Sequence, residues 1–136
     1  MKRLLYFLLF LLFLSNCKDN KADESEILKL VIGKWHSIET EEIVAGEKKW
    51  QPIALAKQSD VSFSFDGVML NKDNEPGCCP SSALRINGAL FNIKSTGVNS
   101  YPCLTILCGE TPPLPVEVGG DVMIVGDQKR VKYVRY

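Results

Sequence analysis

Five cysteines, one histidine and a cluster of glutamates are the side chains in this 136-residue sequence whose types and spacing could do chemistry. Cys78 and Cys79 are adjacent, and Cys103 and Cys108 follow as a C-x4-C pair. In an oxidising compartment four such thiols are expected to form two disulfides. A bridge between the neighbours would close a strained small ring, so Cys78 and Cys79 are expected to join across to Cys103 and Cys108. Between antiparallel neighbours the nested pairing, Cys78 with Cys108 and Cys79 with Cys103, fits slightly better than the crossed one. Zinc would want spacings such as C-x2-C, and disulfide exchange a C-x-x-C beside a βαβ unit; neither pattern occurs. The lone His36 excludes H-E-x-x-H and multi-histidine metal sites, and on a strand it reads as a half-buried or surface residue. Glu39 and Glu41, with Glu42 beside them, would share one strand face, the wet outer one. There is no G-x-S-x-G and no phosphate-cradling glycine loop. Gly119-Gly120, after Pro112-Pro113-Leu114-Pro115, reads as a turn. Nothing here points to an enzyme, a metal or a cofactor.

The fifth cysteine stands apart. Met1-Lys2-Arg3 is basic, and Leu4 to Leu14 is an unbroken run of Leu, Phe and Tyr. A helix rising about 1.5 Å per residue needs roughly twenty apolar residues to cross a bilayer, so the run reads as a signal peptide, residues 1–16. Leu14-Ser15-Asn16-Cys17 then resembles a bacterial lipobox, with Asn16 where Gly, Ala or Ser is commoner. The resemblance implies cleavage before Cys17 and acyl chains of the palmitate class on that residue. More than one chain makes such an anchor stable. The implied place is the bacterial cell envelope, the outer membrane first, on its periplasmic or surface face.

Lys2 and Arg3 lie ahead of Cys17, which leaves 14 basic against 16 acidic side chains and a net charge of about −2. With no basic block, nucleic acid is not an expected partner. Residues 17–26, among them Lys18-Asp19-Asn20-Lys21, have the polar composition of a tether, and residues 27–136 suit one domain.

Those side chains must be carried by strands. Ser25 to Ile32 can form a short helix, capped by Asp23 or Ser25, with Ile27, Leu28, Val31 and Ile32 on one face. Beyond Gly33, strands are expected over 35–44, 49–55, 61–65, 68–70, 83–86, 89–93, 101–108, 122–125 and 131–136. Asp66-Gly67 and Asn87-Gly88 carry the positive-φ turn signal of hairpins. Eight or nine short strands with a single helix favour an all-β antiparallel up-and-down barrel, since closure removes exposed edges, with a sandwich as the competing architecture. The Pro-rich stretch Thr111 to Pro115 is read as a stiff connection between strands.

Gly33-Lys34-Trp35 opening the first strand after a short helix resembles the G-x-W signature of lipocalins, and the chain is similar to small bacterial lipocalin-like lipoproteins from Val31 to Tyr136. Trp50, the Phe63-Ser64-Phe65-Asp66-Gly67 hairpin and the closing Tyr133-Val134-Arg135-Tyr136 extend the similarity. It implies that Trp35 plugs the closed end of the barrel with Arg135 packed across it, Arg130 being the second choice. It also implies ligand binding. Alternation aims Phe63, Phe65, Phe91 and Ile93 inward as candidate ligand contacts, with Trp50 if its strand faces in. A barrel of this size is either filled or holds one small apolar ligand. The alternative is an envelope protein partner, met by the disulfide-fixed loops Glu75 to Pro80 and Gly109 to Pro115.

Overall fold

The computed structural model describes residues 23–93, 103 and 106–136. Cys17, the leader 1–16 and the tether residues 18–22 lie outside the described residues. Helix α1 (Glu24–Lys29) is capped by Asp23, whose carboxylate accepts from the Ser25 amide at 3.1 Å. It is shorter than the expected 25–32: Leu30 to Ile32 leave the helix and carry Val31, fully buried, into the core. The rest is strand: β1 (Gly33–Val44), β2 (Glu47–Pro52), β3 (Asp60–Phe63), β4 (Met69–Leu70), β5 (Ala83–Ile86), β6 (Ala89–Asn92), β7 (Leu114–Gly119), β8 (Val122–Val125) and β9 (Val131–Arg135).

All nine strands form one curled, barrel-like sheet in the order β4-β3-β1-β9-β8-β7-β5-β6, with β2 also on β1. β1 is long enough to serve two neighbours along one edge. Gly33 to His36 pair with β3 and Glu39 to Val44 with β2, while β9 takes the other edge. A register shift between Ser37 and Glu39 kinks β1 where it changes neighbours. The inner face carries the core, with Trp35, Leu84, Ile86, Val116 and Met123 at 0–1 % exposure.

The sheet departs from the expected up-and-down antiparallel order in two ways. β7 pairs in parallel with β5, Leu84 opposite Leu114 and Ile86 opposite Val116, instead of continuing antiparallel from β6. The β5–β6 hairpin returns the chain to the start of β5, so β7 can begin at that same end on the other side of β5 and run parallel to it. Second, among the described residues β4 and β6 share no ladder, so the two ends of the sheet meet through side chains. Gly67, at φ +88°, lies so close to Phe91 of β6 that a Cβ on it would stand 2.5 Å from the ring.

The expected strand 101–108 is not formed by its described residues. Cys103 sits in a single turn closed by the Ile106 amide on its carbonyl at 3.0 Å, and 106–108 are irregular; 101, 102, 104 and 105 lie outside the described residues. The ninth strand is β7, which begins at Leu114 inside the stretch read as a Pro-rich connection and ends at Gly119, read as part of a turn. Pro115 is tolerated near its start because its carbonyl, accepting from Gly126 N at 3.0 Å, does the bonding.

Phe65 also falls outside its expected strand. β3 ends at Phe63 because the Ser64 hydroxyl accepts from the Val68 amide at 3.1 Å and bonds the Asp66 carboxylate, and the Gly67 amide donates to the Ser64 carbonyl at 3.0 Å. These bonds end the alternation and leave Phe65 at the tip of the turn, 87 % exposed.

Two disulfides form, and their connectivity corrects the nested expectation: Cys78 joins Cys103 and Cys79 joins Cys108, with Cα–Cα distances of 5.1 and 5.4 Å. The nested pairing assumed antiparallel neighbours. The segments that hold these cysteines lead into β5 and β7, which run parallel, and their alignment extends backward from the ladder. Ser81 Oγ donates to the Pro112 carbonyl at 2.7 Å and Thr111 Oγ1 to the Pro80 carbonyl at 3.3 Å. Parallel segments bring earlier residues to earlier partners, so the bridges cross.

Candidate functional site

The seam between the sheet's two ends holds an apolar cavity of about 350 Å³. On one side stand Val61 of β3 and Met69 and Leu70 of β4; on the other, Leu84 of β5, Ile93 and Leu114 of β7. Gly77 and the Cys79-Pro80-Ser81 segment roof it, and Asn71 adds a polar edge. The walls follow from the topology. β4 is only two residues long because Asn71 ends it: its side-chain oxygen accepts from the amides of Asp73 and Glu75 at 2.8 and 3.0 Å, turning the chain at once. The short edge strand leaves the gap, and the Cys79–Cys108 bridge fixes the roof over it.

Of the side chains expected to aim inward, Ile93 lines this cavity, whereas Phe63 and Phe91, each 4 % exposed, are part of the filled core and line no part of it. Phe65 is on the surface. Trp50 does not face in either: it pairs with Glu41 on the outer face, half-buried beneath the Lys132 ammonium at 4.5 Å and the Arg130 guanidinium at 5.7 Å from its ring centre. The shift at Ser37/Glu39 is what turns the paired residues of this half of β1 outward. Val61, Met69, Leu84 and Leu114 were missed as site residues. A signal existed for Leu84, which alternates with exposed Arg85 in a strand the sequence does reveal.

Trp35, paired with Val61 across the β1–β3 ladder, is fully buried and donates from Nε1 to the Val31 carbonyl at 2.7 Å. Arg135, and not Arg130, lies over its ring at 4.2 Å. The same guanidinium donates to the carbonyls of Ile32 and Leu30, each at 2.8 Å, capping the chain as it leaves α1. Gly33 makes this approach feasible: at φ +130° a Cβ would meet Arg135 Nη1 at 2.9 Å.

The glutamates have partners. Lys132 bonds Glu39, Arg130 reaches Glu41 at 3.4 Å and Glu117 at 2.9 Å, and Lys48 approaches Glu41 at 3.5 Å. This outer-face network engages Glu39 and Glu41, while the buried Oε2 of Glu41 has no hydrogen-bond partner among the described residues.

His36 occupies a polar cluster on the same outer face. Its Nδ1 lies 2.6 Å from Asp60 Oδ1 and its Nε2 2.7 Å from Gln58 Oε1. The Gln58 amide donates to the Ile53 carbonyl at 3.1 Å, which turns its oxygen toward the ring, so both ring nitrogens face acceptors. Tyr136 donates to the same Asp60 oxygen at 2.7 Å. The bonds from Asp60 and then Gln58 raise the His36 pKa above 6.5, while His36 and then Tyr136 hold Asp60 below the usual carboxylate range. The stability gained from the imidazolium is present in full below pH 6.5 and fades as pH rises through the raised value. Ring-proton NMR should therefore titrate above 6.5, and the urea midpoint should fall as the pH is raised above 6.5. Asp60→Asn should reduce both effects; an unshifted titration would refute the arrangement.

Among the described residues no helix is long and apolar enough to cross a membrane, and no group of His, Cys, Asp and Glu could hold a metal ion. The chain matches no protein-family model, no curated protein and no solved structure.

Proposed function

We propose that this chain is a lipid-anchored, lipocalin-like binding protein of the bacterial envelope that takes one small apolar molecule in the seam cavity. The observation that carries this reading is the cavity itself. About 350 Å³ lies at the lower end of the roughly 300–1,000 Å³ of small-molecule sites, and Val61, Met69, Leu84, Ile93 and Leu114 give it an apolar lining. Such a pocket gains its affinity from removing apolar surface from water, so the ligand is an acyl chain or a comparably small hydrophobe. The Trp35–Arg135 stack behind Gly33 supports the lipocalin likeness; the parallel β5–β7 pair is a departure from it.

A polarity-sensitive fluorescent fatty acid should bind saturably with a Kd near 1 μM, or about −8 kcal/mol. Ile93→Trp and Leu114→Trp, which fill the cavity from half-buried positions, should weaken binding about tenfold or more, roughly 1.4 kcal/mol. Phe65→Ala should leave it unchanged. Absence of saturable binding by the folded protein would refute the ligand reading.

The anchor is tested separately. In cells, Cys17→Ser should remove the lipid, block processing before residue 17 and abolish labelling by an acyl-chain analogue. Labelling that persists would refute the anchor.

A second reading, a protein-interaction module, is favoured by one observation: Leu107 is fully exposed and Ile106 half-exposed in a loop held by both disulfides. It becomes the better account if the probe does not bind.

A further inference from the structure

We propose that the end of the sheet bearing the Phe65 turn is a membrane-contacting face, on which Phe65, Leu30 and Val122 meet the lipid interface. This rests on the lipid anchor at Cys17 proposed above. Three elements bring these residues to one end of the sheet. Phe65 tips the turn that follows Phe63, the partner of Gly33; Leu30 precedes Gly33 by three residues; and Val122 begins β8 opposite Val134 of β9. Arg135 links Leu30 to the turn before Val122, since its side chain reaches the Leu30 carbonyl and its amide donates to the Asp121 carbonyl at 2.9 Å.

Exposures there are high for apolar side chains: 87 % for Phe65, 46 % for Leu30 and 41 % for Val122. The Phe65 turn is closed by Ser64 and Gly67, so folding supplies no reason for an aromatic residue at its tip. The tether supplies one. From Cys17 to Asp23 the chain can span at most about 20 Å, at 3.3–3.6 Å per residue. A domain of this size is roughly 35 Å across, taking about twice a radius of gyration a little above 13 Å with an outer shell. A tether that short brings the end bearing α1 to the bilayer. The apolar tip at the other end, Ile43 (75 % exposed) and Val44, is carried away along β1, up to about 36 Å of strand.

The test uses the full-length lipidated protein in phosphatidylethanolamine–phosphatidylglycerol vesicles, with a tryptophan reporter placed by Phe65→Trp or by Ile43→Trp. Both sites are so exposed that neither substitution disturbs the fold. Relative to the unsubstituted protein, the emission added by Phe65→Trp should be blue-shifted, quenched by lipids brominated on the acyl chains and protected from iodide, as expected for insertion of about 5–10 Å. Emission added by Ile43→Trp should be quenched by iodide alone. If protein floats with the vesicles but Phe65→Trp is open to iodide and insensitive to bromolipid, or if Ile43→Trp is the quenched position, this face assignment is overturned while the anchor stands. If acyl label is absent from the protein, the anchor itself has failed, and with it this inference.

Discussion

Replacing Cys79 and Cys108 together by alanine is expected to lower the stability of the domain by about 2–5 kcal/mol. The bridge closes a separation of 29 residues, for which loop-closure entropy alone gives about 3.5 kcal/mol. The Cys78–Cys103 bridge, separation 25, is comparable in size but overlaps the same loop, so the two effects will not add fully. Small domains have only about 5–15 kcal/mol in total. The bridges matter more here than their number suggests, because the parallel β5–β7 ladder they support has only three paired positions. The double variant should show a lower urea midpoint and lose affinity for the fluorescent fatty acid, since the cavity roof is released. Non-reducing peptide maps should find Cys78 with Cys103 and Cys79 with Cys108. A nested map would overturn the parallel alignment.

Trp35→Ala should cost about as much, in the range of 3–5 kcal/mol for emptying a fully buried indole site. The loss has three parts: the packed ring, the donor to the Val31 carbonyl and the surface on which Arg135 rests. Trp35→Phe separates them. It keeps much of the packing but leaves the Val31 carbonyl without its bond, worth about 1–3 kcal/mol for a buried group. In thermal melts the order should be wild type, then Trp35→Phe, then Trp35→Ala, from the highest midpoint to the lowest. Equal melting of Trp35→Phe and wild type would show that the indole N–H contributes nothing.

Local features of this fold were legible because they are written in neighbouring residues. Asn87-Gly88, both at positive φ, makes the β5–β6 hairpin; Val61 and Phe63 alternate inward; the end of β9 carries Arg135 to Trp35. Pairing between distant strands is a different matter. No alternation in Val116-Glu117-Val118 says that β7 lies beside β5 instead of β6, and the flanking prolines disguise it as a strand at all. The disulfide error followed from that one unknown. Phe65 and Trp50 failed for another reason, since both depend on where alternation stops or shifts: at Ser64 a hydroxyl bonds the backbone, and past Ser37 the register slips. The cavity, formed by a gap between strands, has no local pattern to announce it.

The first strand of the sheet is bonded to the last. Trp35 pairs opposite Arg135, and Ser37 opposite Tyr133, almost a hundred residues later in synthesis. A chain that emerges amino-terminus first thus exposes the β9 edge of β1 long before that partner exists, although β2 and β3 follow at once on the other edge. Contacts of such long range pay their loop-closure entropy early and form slowly. During that interval the indole of Trp35 lacks the cover that Arg135 of β9 supplies. Completion of the final strand is then the event that commits the whole molecule to its native state.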